Sequence, residues 1–358
     1  MTKRQVCIVI AAYNEERVIG KTLRRLSKII PATDIYVVDD GSVDKTAQIA
    51  RKYTPNVLTK ANSGKGSSLQ YGIKNFRLCQ KYKYITPNDA DSILHPKFFD
   101  KIIETFEMDK DRKIAGIAGK VVGSNINWLT AYRLWEYEIT QLIHKSAQSI
   151  TNSITVCPGP CSVFRSSIFY KINYPKGTIT EDMDLTFYIH RKKLGTIVYE
   201  PQSLAYTQDP KNLKSYIQQI NRWYTGFWQC VIKHNIPTGR QLLDLEVSLL
   251  CMEGIFSGLF VLSSPLLVFL FIGHHNYLFL YAIITDFLLF VLPSTLYVAS
   301  KFASPKILLY IPHFYFLRAV SSLIFIRNYG IVFLGRDRKL SASWDTARYS
   351  FQKFSSIH

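Results

Sequence analysis

The stretch QVCIVIAAYNEE, residues 5–16, decides the fold, because an apolar run of strand length ends in a polar segment. Residues 5–12 form the apolar run, and residues 15–29 follow with apolar side chains at helical spacing. Strands that alternate with helices pair in parallel through right-handed crossovers. The stretch therefore predicts the first unit of an α/β domain.

The same alternation continues for about another hundred residues. Further strands are predicted at 35–38, 56–59, 84–86 and 114–122, and further helices at 44–53, 65–76 and 96–108. The prediction is an α/β fold with a mostly parallel sheet and flanking helices. The composition, 47% hydrophobic and 20% charged, excludes a disordered, collagen-like or coiled-coil chain.

Polar residues follow each of the first four strands, where open α/β sheets bind their ligands. They include Glu15 after the first strand, Asp40 after the second, Lys65 after the third, and Asp89 and Asp91 after the fourth. If the segment is extended, residues two apart point to the same side, so Asp89 and Asp91 can converge on one cation. Their hard oxygens suit Mg²⁺ or Mn²⁺ shared with a diphosphate. Ordinary turns and solvated loops are the alternative interpretation of these segments.

Two later segments hold further candidate residues. Asp182 belongs to Thr180-Glu181-Asp182, which precedes a predicted helix at 183–193, with Thr180 as its N-cap. A helix at 212–234 places Gln219, Arg222 and Trp223 on one face. The alternatives are acids favoured by the helix dipole for Asp182, and an interfacial membrane anchor for the 212–234 helix.

The C-terminal third has the composition of membrane helices. Residues 254–285 and 287–300 contain no Asp, Glu, Lys or Arg. Two spans are predicted, at about 247–272 and 277–300. A third apolar segment, 307–334, is interrupted by Pro312, Arg318 and Arg327.

Charge distribution predicts the topology. The formal net charge is +18, and residues 336–358 form a basic tail with five basic and two acidic residues. Positive segments near membrane ends stay inside, and the N-terminus has no signal peptide pattern. We therefore predict a cytosolic domain at 1–240, a transmembrane region at 241–335 and a cytosolic tail at 336–358. This topology needs an even number of crossings, so 307–334 is expected to be re-entrant, interfacial or a tight pair.

These elements, taken in order, resemble family 2 glycosyltransferases. The resemblance rests on Asp40 in DDGS at a strand end, Asp89 and Asp91 in a DxD, Asp182 at the end of a TED, and Gln219-x-x-Arg222-Trp223 before membrane spans. The set is most similar to the membrane-bound branch that contains cellulose, hyaluronan and poly-N-acetylglucosamine synthases. The resemblance implies a GT-A-like domain, an interfacial helix at about 212–234 and transmembrane helices after it.

The resemblance also implies a role for each residue. Tyr13, Glu15, Asp40, Lys65 and Asp89 match nucleotide-binding positions, Asp89 and Asp91 the metal site, Asp182 the general base, and Gln219, Arg222 and Trp223 the part that holds the diphosphate and receives the acceptor. The segment 158–165 matches a wall of the acceptor site. Attack on the donor from the side opposite its diphosphate predicts inversion.

The leading interpretation is an inverting enzyme of the cytoplasmic membrane that depends on Mg²⁺ or Mn²⁺. It would move sugar from a nucleotide sugar, expected to be a UDP-sugar, to a growing polysaccharide. Single transfer to a lipid acceptor, such as a polyprenyl phosphate or glycolipid, is the alternative. A basic membrane-tethered nucleic-acid binder is more distant, because no recognition-helix or basic-aromatic strand pattern is present, and no nucleic-acid partner is expected.

Overall fold

The computed structural model describes residues 4–274 and 277–335, and its α/β part is built on one eight-stranded sheet. The strands are β1 (Arg4–Ala12), β2 (Ile35–Asp39), β3 (Asn56–Thr59), β4 (Tyr82–Asp89), β5 (Ile93–Leu94), β6 (Ile114–Val122), β7 (Ser162–Arg165) and β8 (Thr196–Tyr206).

Helices flank the sheet and then form the C-terminal region. They are α1 (Ile19–Leu26), α2 (Thr46–Ala50), α3 (Lys65–Asn75), α4 (Leu78–Lys81), α5 (Phe98–Met108), α6 (Trp128–Thr140), α7 (Ser146–Ile150), α8 (Ile168–Lys171), α9 (Glu181–Arg191), α10 (Leu213–Lys233), α11 (Leu242–His274), α12 (Leu278–Asp286), α13 (Leu292–Lys301) and α14 (Ile311–Phe333). Single π-helical turns connect α6 to α7 and α12 to α13.

The sheet has the order β3-β2-β1-β4-β7-β6-β8-β5. Strands β1 to β4 pair in parallel, as do β6 and β8. Strand β7 runs antiparallel between β4 and β6, and β5 is antiparallel to β8. The predicted α/β fold with a mostly parallel sheet is confirmed.

Most element boundaries predicted from apolar runs agree with the structure, and the differences have local causes. Helix α1 begins at Ile19, four residues later than predicted, because the Glu15 carbonyl accepts the N–H groups of Val18 and Ile19 in a preceding turn. Strand β4 extends further than predicted at both ends, because it pairs with β1 from Tyr82 to Asp89. Thr180 occupies the N-cap position of α9, but its side chain makes no capping hydrogen bond.

Three helical segments are long and apolar enough to cross a membrane: Leu242–Gly273, Phe279–Lys301 and Pro305–Phe333. Many of their large apolar side chains are exposed in the isolated chain, including Phe256 and Phe269. Apolar side chains on such helices suit the hydrocarbon core of a bilayer. The predicted membrane region therefore consists of helices, as expected.

The interpretation of 307–334 as a tight pair of crossings is wrong, because α14 is one continuous helix of 23 residues. Pro312 lies in its first turn, where a missing N–H breaks no hydrogen bond. The Arg318 guanidinium is paired with Asp286 at 2.8 and 3.1 Å, and Arg327 donates to Asn221 at 3.1 Å. The predicted tail at 336–358 lies outside the described residues.

Helix α10 joins the α/β part to α14. Asn212 caps its N-terminus by accepting the Ser215 N–H at 2.9 Å. Along its length, the Tyr216 hydroxyl lies 2.7 Å from the Ser321 hydroxyl, and the Trp228 indole donates to a carbonyl of α14 at 3.2 Å. Because α10 holds three of the predicted site residues, these contacts fix the site relative to the membrane helices.

Candidate active site

A cavity of about 1210 Å³ lies beside the ends of β1 and β4 and reaches the membrane helices. It brings together eight of the ten predicted site residues: Glu15, Lys65, Asp89, Asp91, Asp182, Gln219, Arg222 and Trp223. Tyr13 and Asp40 do not line it. Residues separated by more than 200 positions in the sequence therefore meet at one site.

Asp40 is fully buried and holds the loop that leads into α3. Its carboxylate accepts the backbone N–H groups of Ser63 at 3.0 Å and Gly64 at 2.8 Å, and it pairs with Lys60. Gly41 turns the chain at positive φ, where an added Cβ would lie 3.0 Å from the Asn62 nitrogen. In this structure Asp40 shapes the loop beside the cavity.

Lys65 connects the end of strand β4 to the start of helix α9. It is the first residue of α3, and its ammonium lies 2.7 Å from Asp89 and 2.5 Å from Glu181. Burial disfavours its charge, but Asp89, Glu181 and Asp182 outweigh that effect and hold the pKa of Lys65 well above its usual value. Glu181 is therefore part of the site. Its acidity alone did not indicate, in the sequence, that it would pair with Lys65.

Asp182 is half-buried at the start of α9, with its carboxylate held by two backbone donors. Oδ2 accepts the Gly159 N–H at 3.2 Å, and Oδ1 accepts the Met183 N–H at 2.9 Å. Burial, and next the charge of Glu181, raise the pKa of Asp182 to about 6, against the opposing effect of Lys65. A carboxylate with a raised pKa is a stronger base for a hydroxyl proton.

Gly159 allows the 158–161 turn to approach these charged groups. An added Cβ would lie 2.7 Å from the Lys65 ammonium and 3.0 Å from Asp89 Oδ1. Pro158 and Pro160 on either side both line the cavity. The segment given an acceptor-site role by resemblance thus forms part of the cavity wall.

Asp89 and Asp91 both line the cavity, but the geometric argument for them was wrong, because the strand ends at Asp89 and residues 90–91 form a turn. Within residues 4–274 and 277–335, no group of three His, Cys, Asp or Glu side chains has metal-binding geometry. Two hard carboxylates that line an open cavity fit Mg²⁺ or Mn²⁺, which take their other ligands from water and substrate phosphates.

Helix α10 contributes another part of the cavity wall. The Arg222 guanidinium is half-buried and forms no ion pair within the described part of the chain, so it is available to an anion. The Trp223 ring lies against Arg133 of α6, with the guanidinium carbon 4.7 Å from the ring centroid. Gln219 lies one turn earlier, with Oε1 buried.

Helix α6 and the residues after β8 hold four cavity residues that the sequence interpretation missed: Arg133, Glu136, Tyr137 and Asp209. Arg133, Glu136 and Tyr137 stand at i, i+3 and i+4, the spacing of one helical face. Polar residues at that spacing in an aromatic-rich segment were an available signal. Asp209 had no local signal beyond preceding a proline.

Comparison with known proteins agrees with this architecture. Poly-beta-1,6-N-acetyl-D-glucosamine synthase of Staphylococcus epidermidis is 27% identical over 241 residues, which are 65% of this chain and 57% of that protein. Hyaluronan synthase of Streptococcus pyogenes is 29% identical over 249 residues, which are 63% of this chain and 57% of that protein. The chain thus spans little more than half the length of these curated relatives.

A solved structure has a similar fold over nearly the whole chain. The mannosyltransferase PcManGT of Pyrobaculum calidifontis, in complex with GDP-Man and Mn²⁺, aligns with a TM-score of 0.58 and 15% identity, covering 91% of this chain and 87% of that one. The GT-A-like fold prediction is confirmed. Residues 4–226 match the family described as glycosyltransferase like family 2. The chain therefore belongs to the family 2 glycosyltransferases and is an enzyme of that class.

Proposed function

We propose that the enzyme transfers a sugar from a nucleotide sugar, with a UDP-sugar as the expected donor, to a growing polysaccharide at the membrane, with inversion. The observation that supports this most directly is that Asp182, Asp89, Asp91 and Arg222 line one cavity. A base, a pair of metal-binding acids and an anion-binding guanidinium are what this transfer requires. The two curated relatives, both polysaccharide synthases by name, support the choice of acceptor.

In the proposed reaction, an acceptor hydroxyl attacks the anomeric carbon from the side opposite the diphosphate. The new bond joins that carbon to the acceptor oxygen, and the bond to the phosphate oxygen breaks with its electron pair. The hydroxyl proton goes to Asp182, which Gly159 and Met183 hold in position. The nucleoside diphosphate leaves without needing a proton, so one acid suffices where a glycosidase needs two.

Asp89 and Asp91 would hold the divalent cation, which would stabilise negative charge on the leaving diphosphate. Arg222, which lines the same cavity, would contribute a second positive charge. Lys65, fixed between Asp89 and Glu181, would keep the acids of this region at a defined separation and bring a cation next to the nucleotide. Tyr13 and Glu15 remain the proposed nucleoside side of the site, and Asp40 would act there through the 60–64 loop that it holds.

The direct test is product formation by the detergent-purified protein with Mg²⁺ or Mn²⁺. A panel that includes UDP-glucose, UDP-N-acetylglucosamine, UDP-glucuronate and GDP-mannose should give one nucleoside diphosphate above background. The anomeric configuration of the product, read by NMR, should be opposite to that of the donor. Retained configuration would contradict the proposed use of Asp182 as a base.

Replacing Arg222 by Ala is expected to weaken nucleotide binding and to slow turnover, each by about 10-fold or more. The guanidinium would contact the diphosphate both before and during departure, so both constants should change. Isothermal titration with UDP and initial rates measure them. Lys214→Ala, on the exposed face of the same helix, is the control; equal constants for Arg222→Ala and the unchanged enzyme would exclude the diphosphate role.

One observation favours the second acceptor class, a membrane lipid. The cavity continues between α11 and α14, where Glu253, Ser257, Ser321 and Ser322 line it. Polar residues in membrane helices usually face a cavity or pathway. An acceptor attached to a lipid could reach Asp182 along this wall, so the panel should include polyprenyl phosphate and glycolipid in vesicles.

The proposed location is the cytoplasmic membrane, with the catalytic domain and the 336–358 tail both in the cytosol. A membrane-impermeant thiol reagent should then label neither Val43→Cys, in an exposed loop of the domain, nor Ser355→Cys in intact cells. Both should label after permeabilisation, relative to the unsubstituted chain. Labelling of Ser355→Cys in intact cells would mean an odd number of crossings, with all three long helices spanning as the simplest case.

A further inference from the structure

The π-helical turn between α6 and α7 places a lysine in the cavity wall without a partner in the described chain. Lys145 is the last residue of this turn, lines the cavity and is 7% exposed. Within residues 4–274 and 277–335, its ammonium forms no ion pair and no hydrogen bond. It is not one of the enclosed polar atoms without a partner, so it remains accessible from the cavity.

The polar side chains one turn before and one turn after this lysine are already bonded within the protein. Gln141 accepts the Val121 N–H at 2.8 Å and donates to the Val121 carbonyl at 2.8 Å. Gln148 donates to Glu246 at 2.8 Å. The ammonium between these two amides is therefore the group on this face that a ligand can engage.

A buried ammonium is costly unless an anion pairs with it. Lys65, which lines the same cavity, has such partners in two carboxylates at 2.7 and 2.5 Å. Lys145 has none at that distance in the described chain. Burial lowers the pKa of its ammonium, against smaller effects of Cys161, Cys157 and Asp182. An anion that enters the cavity would supply the partner that the protein does not.

The position of Lys145 separates this anion from the donor diphosphate. Asp182 is the carboxylate that acts on the pKa of Lys145, so the ammonium lies on the side of the proposed base. The proposed diphosphate site uses Asp89, Asp91 and Arg222 instead. The groups next to the base during transfer are the transferred sugar and the terminal sugar of the acceptor. The anion therefore belongs to a sugar.

The charge balance selects a carboxylate. A phosphate monoester carries about two negative charges at neutral pH, and one ammonium would leave part of that charge unpaired near Asp182. A sugar carboxylate carries one negative charge, and its two oxygens can accept from the three N–H donors of an ammonium. A neutral hydroxyl would leave the ammonium without a counter-ion.

We propose that Lys145 binds the carboxylate of a uronate, carried by the transferred sugar or by the terminal sugar of the acceptor. The ammonium donates to the carboxylate and offsets its charge, which distinguishes a uronate from a neutral sugar of similar shape. This inference rests on the proposed function, because it identifies the class of sugar handled at that same site.

Ligand pairs that differ at the carboxyl group test the inference by binding, without turnover. Isothermal titration of the full chain in detergent compares UDP-glucuronate with UDP-glucose, for a donor uronate, and hyaluronan oligomers with their carboxyl-reduced forms, for an acceptor uronate. In one pair the uronate should bind more tightly. Lys145→Met should weaken that binding by about 10-fold or more and leave UDP and the neutral ligand unaffected. Lys74→Met, at an exposed position of α3 outside the cavity, is the control for lost charge.

Thermal stability distinguishes a ligand-binding lysine from a structural one. Lys145→Met removes an unpaired buried charge and keeps an apolar side chain of similar length. The ligand-free variant should therefore melt at the same temperature as the unchanged protein or at a higher one. A lower melting temperature would mean that the ammonium has a partner within the protein, and would overturn the inference.

The binding outcomes separate this inference from the proposed function. Equal affinity for both members of each pair, or unchanged uronate affinity in Lys145→Met, would overturn the inference. A loss of UDP affinity in Lys145→Met would also overturn it, because the anion would then be the diphosphate. Uronate binding that depends on Lys145, in a protein that releases no nucleoside diphosphate from any donor, would support the inference and contradict the proposed function.

Discussion

Replacing Asp182 by Asn is expected to lower turnover by roughly 10²-fold or more while nucleotide affinity stays nearly the same. The reason is that Asp182 would act only when the acceptor hydroxyl loses its proton, and an amide cannot accept it. The Gly159 and Met183 N–H groups bind different carboxylate oxygens, so the single amide oxygen of the variant can accept only one of them. The melting temperature of the variant is therefore measured beside its rate. UDP binding and initial rate, measured on the same preparation, separate chemistry from affinity.

The pH dependence gives the same prediction a second readout. Because the pKa of Asp182 is raised to about 6, the carboxylate is the base above that pH and is lost below it. The rate of the unchanged enzyme should therefore fall about tenfold per pH unit well below 6, and the residual rate of Asp182→Asn should lack this dependence.

A control for Asp182→Asn stands two residues later on the same helix. Asp184 is fully buried and binds His234 at 2.8 Å, Lys233 at 2.6 Å and Thr178 at 2.7 Å. Its Asn variant should melt at a lower temperature but keep its rate per folded molecule. If Asp182 served only as a helix-terminal acid, its own Asn variant would remain active. A fully active Asp182→Asn enzyme would leave the mechanism without its base.

The strands that the sequence predicted correctly are those whose own residues show a strand pattern. Residues 56–59 and 114–122 were predicted to the residue, because apolar and β-branched residues make up most of each run. Strand β8 was not predicted: its sequence, TIVYEPQSLAY, contains a proline, and its register with β6 shifts between Gly119 and Lys120. The irregular pairing removes the simple alternation that identifies a strand.

The site shows the same division between local and long-range information. Lys65 and Asp182 were found because each stands at the start of a helix with a readable pattern. The contact of Trp223 with Arg133 joins positions ninety residues apart, and no local spacing encodes it. Similarly, nothing in the sequence around Asp40 indicates that two N–H groups of the 60–64 loop occupy its carboxylate.

Replacing Asp91 by Asn is expected to abolish activity with both Mg²⁺ and Mn²⁺ and to weaken nucleotide binding. A neutral amide oxygen is a poorer ligand for a hard cation than a carboxylate. Asp89 cannot compensate fully, because its Oδ1 lies 2.7 Å from the Lys65 ammonium and shares its charge with it. The negative charge of the diphosphate would then be offset less well, because less cation is bound.

The measurement for Asp91→Asn is UDP affinity and nucleoside diphosphate release in each metal, over a range of metal concentrations. Asp111→Asn is the control, because the side chain of that acid is 71% exposed and pairs with Lys113 at the surface. A solvated loop acid at position 91 would give the same small effect as the control. Full activity of Asp91→Asn would contradict the metal site, because the cation would then not need this carboxylate. Full activity of the unchanged enzyme in excess EDTA would contradict it too, because the enzyme would then not need the cation.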